Sequence, residues 1–167
     1  MHFAAYRIGD TYCMSSASTL SAINALPKGM IQVPGTKPWL LGVGRMGAAP
    51  VPFINIGRLL AIPRSKDESK LSSETALYLR GDSTVGPIAV VVDEVISFFE
   101  AGVLEDCDDS DFKIPPGLGS CLRGTVNVDH AALKNMGKPL PTYKGTWALI
   151  DLKALISDPK IQNIDLN

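Results

Sequence analysis

The chain has no run of about 18 apolar residues, the least that reads as a membrane-crossing helix, so no direct membrane insertion is expected. Its start, MHFAAYRIGD, lacks a basic stretch leading into an apolar one and does not read as a signal peptide. Cysteine is scarce: Cys13, Cys107 and Cys121 are odd in number and widely spaced, with no C-x-x-C. Only His2 and His130 are there to complete a zinc site, and neither has ligand spacing, so no metal is expected. The three cysteines read as reduced thiols of a cytoplasmic protein. Net charge is also nearly absent, at −1, which argues against a general attraction to nucleic acid or acidic lipid. With two histidines and no G-x-S-x-G elbow, no nucleophile–base–acid set is visible. The G-K-[ST] ending of a phosphate loop is missing as well; GDSTVG at 81–86 is glycine-bounded but reads as a hairpin turn. Together these absences predict a protein that is not an enzyme.

What is present is short apolar runs between frequent glycines and prolines, 15 and 12 in a chain of 167 residues. A chain this long buries about 70% of its unfolded surface and needs no staple. Residues 3–8 and 11–14 read as strands around the turn signal Gly9-Asp10. Residues 15–25 are rich in Ser and Ala; Leu20 and Ile23 stand three apart, as on one helical face. Residues 63–75, PRSKDESKLSSET, read as a linker that loops out. Residues 76–80 read as a short strand, and IAVVV at 88–92 as one buried on both faces. An alternating stretch runs to Phe99, residues 146–152 form a last strand, and residues 153–156 begin a short helix. Many short strands and little helix predict an all-β, barrel-like fold.

Residues 41–62, LGVGRMGAAPVPFINIGRLLAI, are the most informative stretch. Gly42, Gly44 and Gly47 fit the dinucleotide fingerprint G-x-G-x-x-G. That fingerprint needs a helix starting at the glycines, with free N–H groups facing a pyrophosphate. Pro50 and Pro52 follow at once, and proline removes an N–H and drives its neighbour towards extended geometry. A strand, a glycine turn, a second strand over 51–56 and a short helix over 57–61 are expected instead. The glycines then answer backbone demand: positive φ, or close approach of another chain. A nucleotide-dependent oxidoreductase is the disfavoured alternative, and no cofactor is expected.

Residues 105–111, EDCDDSD, fail as a calcium loop, because Asp111 and Gly117 replace the required Gly and Glu. They read as a solvated acidic turn. Asp93, after the buried strand, reads as a strand-end carboxylate satisfied by backbone N–H groups, with a functional carboxylate as the alternative. Arg45 sits at the tip of the 42–47 glycine turn and reads either as an exposed cation or as a contact residue. One internal echo stands out: PFINIGRLLAI at 52–62 and WALIDLKALIS at 147–157 share a strand, a polar residue (Asn55, Asp151) and a Leu-rich half-helix. It predicts two similar halves.

The ordered blocks G-V-x-x-x-G-x-x-x-P-x-I-x-I, A-V-V-V-D-E-V and A-L-I-D-L resemble a CheW-type chemotaxis coupling domain over residues 6–156. Its departures from the usual pattern are most similar to the PilI-type adaptors of type IV pilus systems. The resemblance implies a CheW-like fold of two linked five-stranded β-barrel subdomains with short helices. Residues 3–63 would form the first barrel half and 64–75 a linker. Residues 76–156 would form the second half with the last strand and short helix, and 157–167 a tail, all within a single domain over 1–167. It implies a non-enzymatic scaffold joining methyl-accepting chemoreceptor cytoplasmic helices to the regulatory domain of a CheA-type histidine kinase, possessing neither cofactor nor nucleic-acid partner. A similar domain excised from a larger kinase or fused regulator is the second alternative. Leu20, Ile23, Gly42, Arg45, Gly47 and Leu77 are the residues it places at the receptor groove or turn. Gly47 stands where the family usually has arginine, Asn55 where it has Asp, Ala89 where it has Gly, and residues 127–144 are extra.

Overall fold

The computed structural model describes residues 2–66, 74–81, 86–100, 105–106, 116–127, 146–157 and 161. The elements in chain order are β1 (His2–Ile8), β2 (Thr11–Ser16), a 3-10 turn (Ala17–Thr19), β3 (Leu20–Ala25), β4 (Leu40–Met46), β5 (Ala49–Asn55) and α1 (Ile56–Leu59). They continue with β6 (Thr75–Leu79), β7 (Ile88–Val92), β8 (Glu94–Glu100), β9 (Glu105–Asp106), β10 (Leu122–Asn127), β11 (Thr146–Ile150) and α2 (Leu152–Ile156). The expected all-β class is found. Glu105 and Asp106 lie in a short strand on β10 rather than in a free acidic turn. The rest of that acidic stretch and most of the extra residues 127–144 lie outside the described residues.

The strands form two sheets, ordered β8-β1-β2-β11-β10-β9 and β3-β6-β7-β5-β4. Without the two-residue β9, both have five strands and one plan. β4-β5-β7-β6-β3 and β10-β11-β2-β1-β8 each run antiparallel, parallel, antiparallel, antiparallel. Even the irregularities recur. The β4–β5 ladder shifts between Leu40↔Ile54 and Gly42↔Phe53, and β10–β11 between Leu122↔Ile150 and Gly124↔Leu149. The β3–β6 ladder shifts between Leu20↔Leu79 and Ala22↔Tyr78, and β1–β8 between Tyr6↔Val95 and Ala5↔Ser97. The internal echo was the visible part of this repeat.

The sheets do not follow the expected halves 3–63 and 76–156. Strands β1 and β2 pair with β8–β11, while β6 and β7 pair with β3–β5. Each hairpin, β1–β2 and β6–β7, is followed by a crossover that delivers the next strand to the edge of the other sheet. The exchange creates three cores. The largest lies between the sheets and takes Tyr6, Ile8, Leu77, Leu79, Val90, Ile150 and both helices. Each sheet also curls over a core of its own. Ala22 from one edge strand and Met46 from the other share a cluster with Phe53 and Tyr78, and Ile96 and Val126 do the same around Tyr12 and Trp147. An edge-to-face aromatic pair fills each curl, Phe53–Tyr78 at 5.7 Å and Tyr12–Trp147 at 5.3 Å. Apolar residues on both faces explain the unbroken run of β7, all five residues of which are buried.

Leu20 and Ile23 are on a strand, not a helix. The bulge in β3 adds one residue, so a spacing of three returns to the same face. Both side chains reach the inter-sheet core, while Ala22 points the other way.

Each helix starts on the polar residue of the echo. Asn55 Oδ1 accepts the Arg58 N–H at 3.0 Å, and Asp151 Oδ1 accepts the Ala154 N–H at 2.9 Å. An amide oxygen caps as a carboxylate does, so Asn55 keeps the geometry at that position. Asp151 Oδ2 also accepts from Arg123 Nε and Nη2 at 3.0 and 2.9 Å. The Ala154 N–H, and then Arg123, hold the carboxyl below its usual range against the opposing effect of partial burial. A depressed folded value stabilises above the unfolded value of about 3.9, and that contribution is lost as pH falls through the folded value. Asp151→Asn keeps the capping oxygen but removes the titration. The gap in melting temperature between wild type and this variant is therefore expected to close below about pH 4. A gap constant from neutral to acid pH would show that Asp151 contributes no such linkage.

Candidate docking site

The glycine turn is a β-hairpin, as the prolines require: β4 and β5 pair from Leu40↔Ile54 to Met46↔Ala49 around Gly47-Ala48. Its three glycines answer three local demands. Gly47 has φ +61° in the two-residue turn. A Cβ on Gly44 would lie 2.6 Å from the Phe53 ring, which lies over it. A Cβ on Gly42 would lie 2.8 Å from the Ile31 carbonyl oxygen, because Ile31 and Val43 exchange N–H···O bonds of 3.0 and 2.8 Å. Arg45 is inside β4 opposite Pro50, two residues before the turn rather than at its tip. It is exposed, and its side chain has no partner among the described residues.

The six expected contact residues fall into two groups. Leu20, Ile23 and Leu77 meet on β3 and β6. Gly42, Arg45 and Gly47 lie on β4 and its turn, at the other edge of the same sheet. Leu77 is 0% and Leu20 8% exposed, so both are mainly covered by the chain's own core. They belong to the inter-sheet core, two other members of which, Leu79 and Ile156, reach an open site.

That site is a groove at the junction of the two sheets. It has a volume of about 330 Å³ and lies between the 3-10 turn, the end of β6 and α2. Leu79 and Ile156, both buried, supply apolar lining. Arg80 and Lys153 bring two exposed cations, and Ser18 and Thr19 two hydroxyls. The hydroxyls are engaged locally: Thr19 Oγ1 donates to the Ser16 carbonyl at 2.9 Å, and Ser18 Oγ lies 2.8 Å from Ser16 Oγ. Neither cationic side chain has a hydrogen-bond or ion-pair partner among the described residues.

The repeat gives this groove a counterpart beside α1, β1 and the end of β7, and that one is largely filled. Only about 80 Å³ remains, between Ile8, Asn55, Asp93 and the connecting segment. The segment expected to loop away is docked at its start. Ile62 and Ser65 are buried, Ser65 Oγ donates to Asp10 Oδ1 at 2.7 Å, and the Pro63 carbonyl packs where a Cβ on Gly9 would be. Asp93 accepts the Gly9 N–H, which is the strand-end role expected of it. Fully buried Arg7 donates to the Gly9 carbonyl and, at 3.2 Å, to Glu94.

Leu79, Arg80, Lys153 and Ile156 were not singled out from the sequence. A second echo marks the place, RIGD at 7–10 against RGD at 80–82, one residue shorter. Its meaning depends on the strand exchange that brings α2 beside β6.

Buried thiols play no part in the groove. Burial, and then the neighbouring Cys121, push the Cys13 thiol well above its ordinary range, as for an inert core cysteine. Among the described residues no helix is long and apolar enough to cross a membrane.

The architecture defines a class by fold alone: two five-stranded β sheets of one plan that share a core. The particular likeness is to the crystal structure of the scaffolding protein TtCheW from Thermoanaerobacter tengcongensis. The TM-score is 0.63 at 10% identity, over 90% of this chain and 84% of that one. At this identity the likeness shows a CheW-like fold. No family model matches the chain, and no curated protein does.

Proposed function

We propose that the chain is a non-enzymatic adaptor of a chemosensory system, coupling a methyl-accepting receptor to a CheA-type histidine kinase. The single observation that carries this is the open groove at the sheet junction, within a fold shared with a scaffolding protein. An apolar floor between cationic rims suits an amphipathic segment laid along it, not a reaction centre. In this reading the groove takes the receptor's cytoplasmic hairpin. Leu20, Ile23 and Leu77 hold its wall in place. The β4–β5 hairpin, with Gly42, Gly47 and exposed Arg45, is a separate surface at the other edge of its sheet and serves the kinase regulatory domain. Such adaptors work at the cytoplasmic face of receptor arrays, where many copies add avidity to modest contacts. A PilI-type role in twitching motility is the finer form of the proposal.

The test is titration of the protein against a chemoreceptor cytoplasmic fragment and, separately, a CheA-type regulatory domain. Binding to both is expected. Arg45→Ala is expected to weaken binding to the kinase regulatory domain by about ten- to hundredfold, the effect of removing a charged hydrogen bond of about 1.5–3 kcal/mol, and to spare the receptor fragment. Its melting temperature should hold, because Arg45 is exposed. Binding to neither partner would overturn the proposal. Equal loss towards both with Arg45→Ala would mean that the hairpin itself was damaged.

A further inference from the structure

Arg7 and Arg80 occupy the same place in the two sheets. Arg7 follows Tyr6, which pairs with Val95 beside the β8 bulge, and its own cross-strand partner is Glu94. Arg80 follows Leu79, which pairs with Leu20 beside the β3 bulge, and its N–H bonds to the Thr19 carbonyl at 3.2 Å. The position that holds a carboxylate in one half therefore holds a threonine in the other. Arg7 is buried and ion-paired. Arg80 is exposed on the open groove, and its side chain has no partner among the described residues. Lys153 of α2 lines the same groove and adds a second cation, its side chain also without a partner among the described residues, where α1, in the other half, has Gly57.

We propose that Arg80 takes from a docked receptor segment the carboxylate that Glu94 supplies to Arg7. The occupant is an acidic amphipathic segment: apolar residues cover Leu79 and Ile156, and one Asp or Glu reaches the guanidinium, with Lys153 reinforcing the field. A guanidinium fork meets a carboxylate in two parallel bonds, which an ammonium does not. The groove thus selects for charge as well as shape, and complex formation weakens with salt. This inference rests on the adaptor reading above.

The experiment titrates wild type, Arg80→Ala, Arg80→Lys and Thr19→Glu against a chemoreceptor cytoplasmic fragment and a CheA-type regulatory domain, each at low and high salt. Arg80→Ala is expected to lose about ten- to hundredfold towards the receptor fragment and to flatten its salt dependence. Arg80→Lys should recover part of the loss. Thr19→Glu rebuilds the internal pair seen at Arg7–Glu94, so it should also weaken receptor binding while keeping or raising the melting temperature. Receptor affinity unchanged in both Arg80→Ala and Thr19→Glu would overturn the inference and leave the adaptor reading standing. Loss confined to the kinase domain would overturn the receptor as the occupant. Binding of wild type to neither probe would overturn both readings together.

Discussion

Replacing Gly42 by Asp is expected to lower the melting temperature by about 6–12 °C, from a loss of about 3 kcal/mol at about 2–4 °C per kcal/mol in a chain of this size. Gly42 is buried in β4, and any Cβ there meets the Ile31 carbonyl at 2.8 Å. A carboxylate would be crowded against that carbonyl oxygen, and both Ile31–Val43 bonds would have to lengthen. Gly42→Ala introduces the crowding without the charge and should cost about 1 kcal/mol. Thermal melting of both variants gives the comparison. If Gly42→Asp melts like wild type and loses only partner binding, the glycine is required by a docked protein, not by Ile31.

Glu94→Ala is expected to destabilise more than Arg7→Met, although the two share one ion pair. Arg7 is fully buried, whereas the Glu94 side chain is 44% exposed. Removing Glu94 takes a carboxylate away from a fully buried guanidinium, and breaking a buried pair from one side costs about 3–5 kcal/mol. Partial exposure of Glu94 places the expected loss at the low end of that range. Removing Arg7 leaves a carboxylate that can turn to water and a site that methionine largely fills. Chemical denaturation of the two variants sets the order. The reverse order would mean that the bond to Gly9, and the turn it closes, outweighs the pair. Arg80→Ala should leave stability nearly unchanged, because the equivalent arginine there is solvated.

Much of the fold was legible because it is written in local chemistry. Proline after the glycines forbade a phosphate-binding helix and required the β4–β5 hairpin. Gly9-Asp10 closed β1–β2, and Asn55 and Asp151 announced their half-helices as capping residues. The failure at Leu20 and Ile23 was equally local in origin. A three-residue spacing fits a helical face, and a bulge, set by the register against β6, makes a strand do the same.

The candidate site was less legible. Leu77 resembled a contact residue and is core; Arg45 resembled a turn tip and lies in a strand. Burial depends on which sheet covers a strand, and alternation within one segment carries no record of that partner.

By itself the amino-acid sequence determined an all-β chain of two related halves, with its hairpins, its helix caps and glycines serving packing rather than phosphate. Each of these depends on residues within one turn or one strand pair. Only the tertiary structure decided that β1–β2 and β6–β7 exchange sheets, and that one junction groove is filled by residues 62–65 while the other stands open. It alone made Arg7 an internal ion pair and left Arg80 facing Thr19. The physical reason is that pairing between strands 50 to 98 residues apart is chosen by the shared core they bury, and no local pattern encodes that choice.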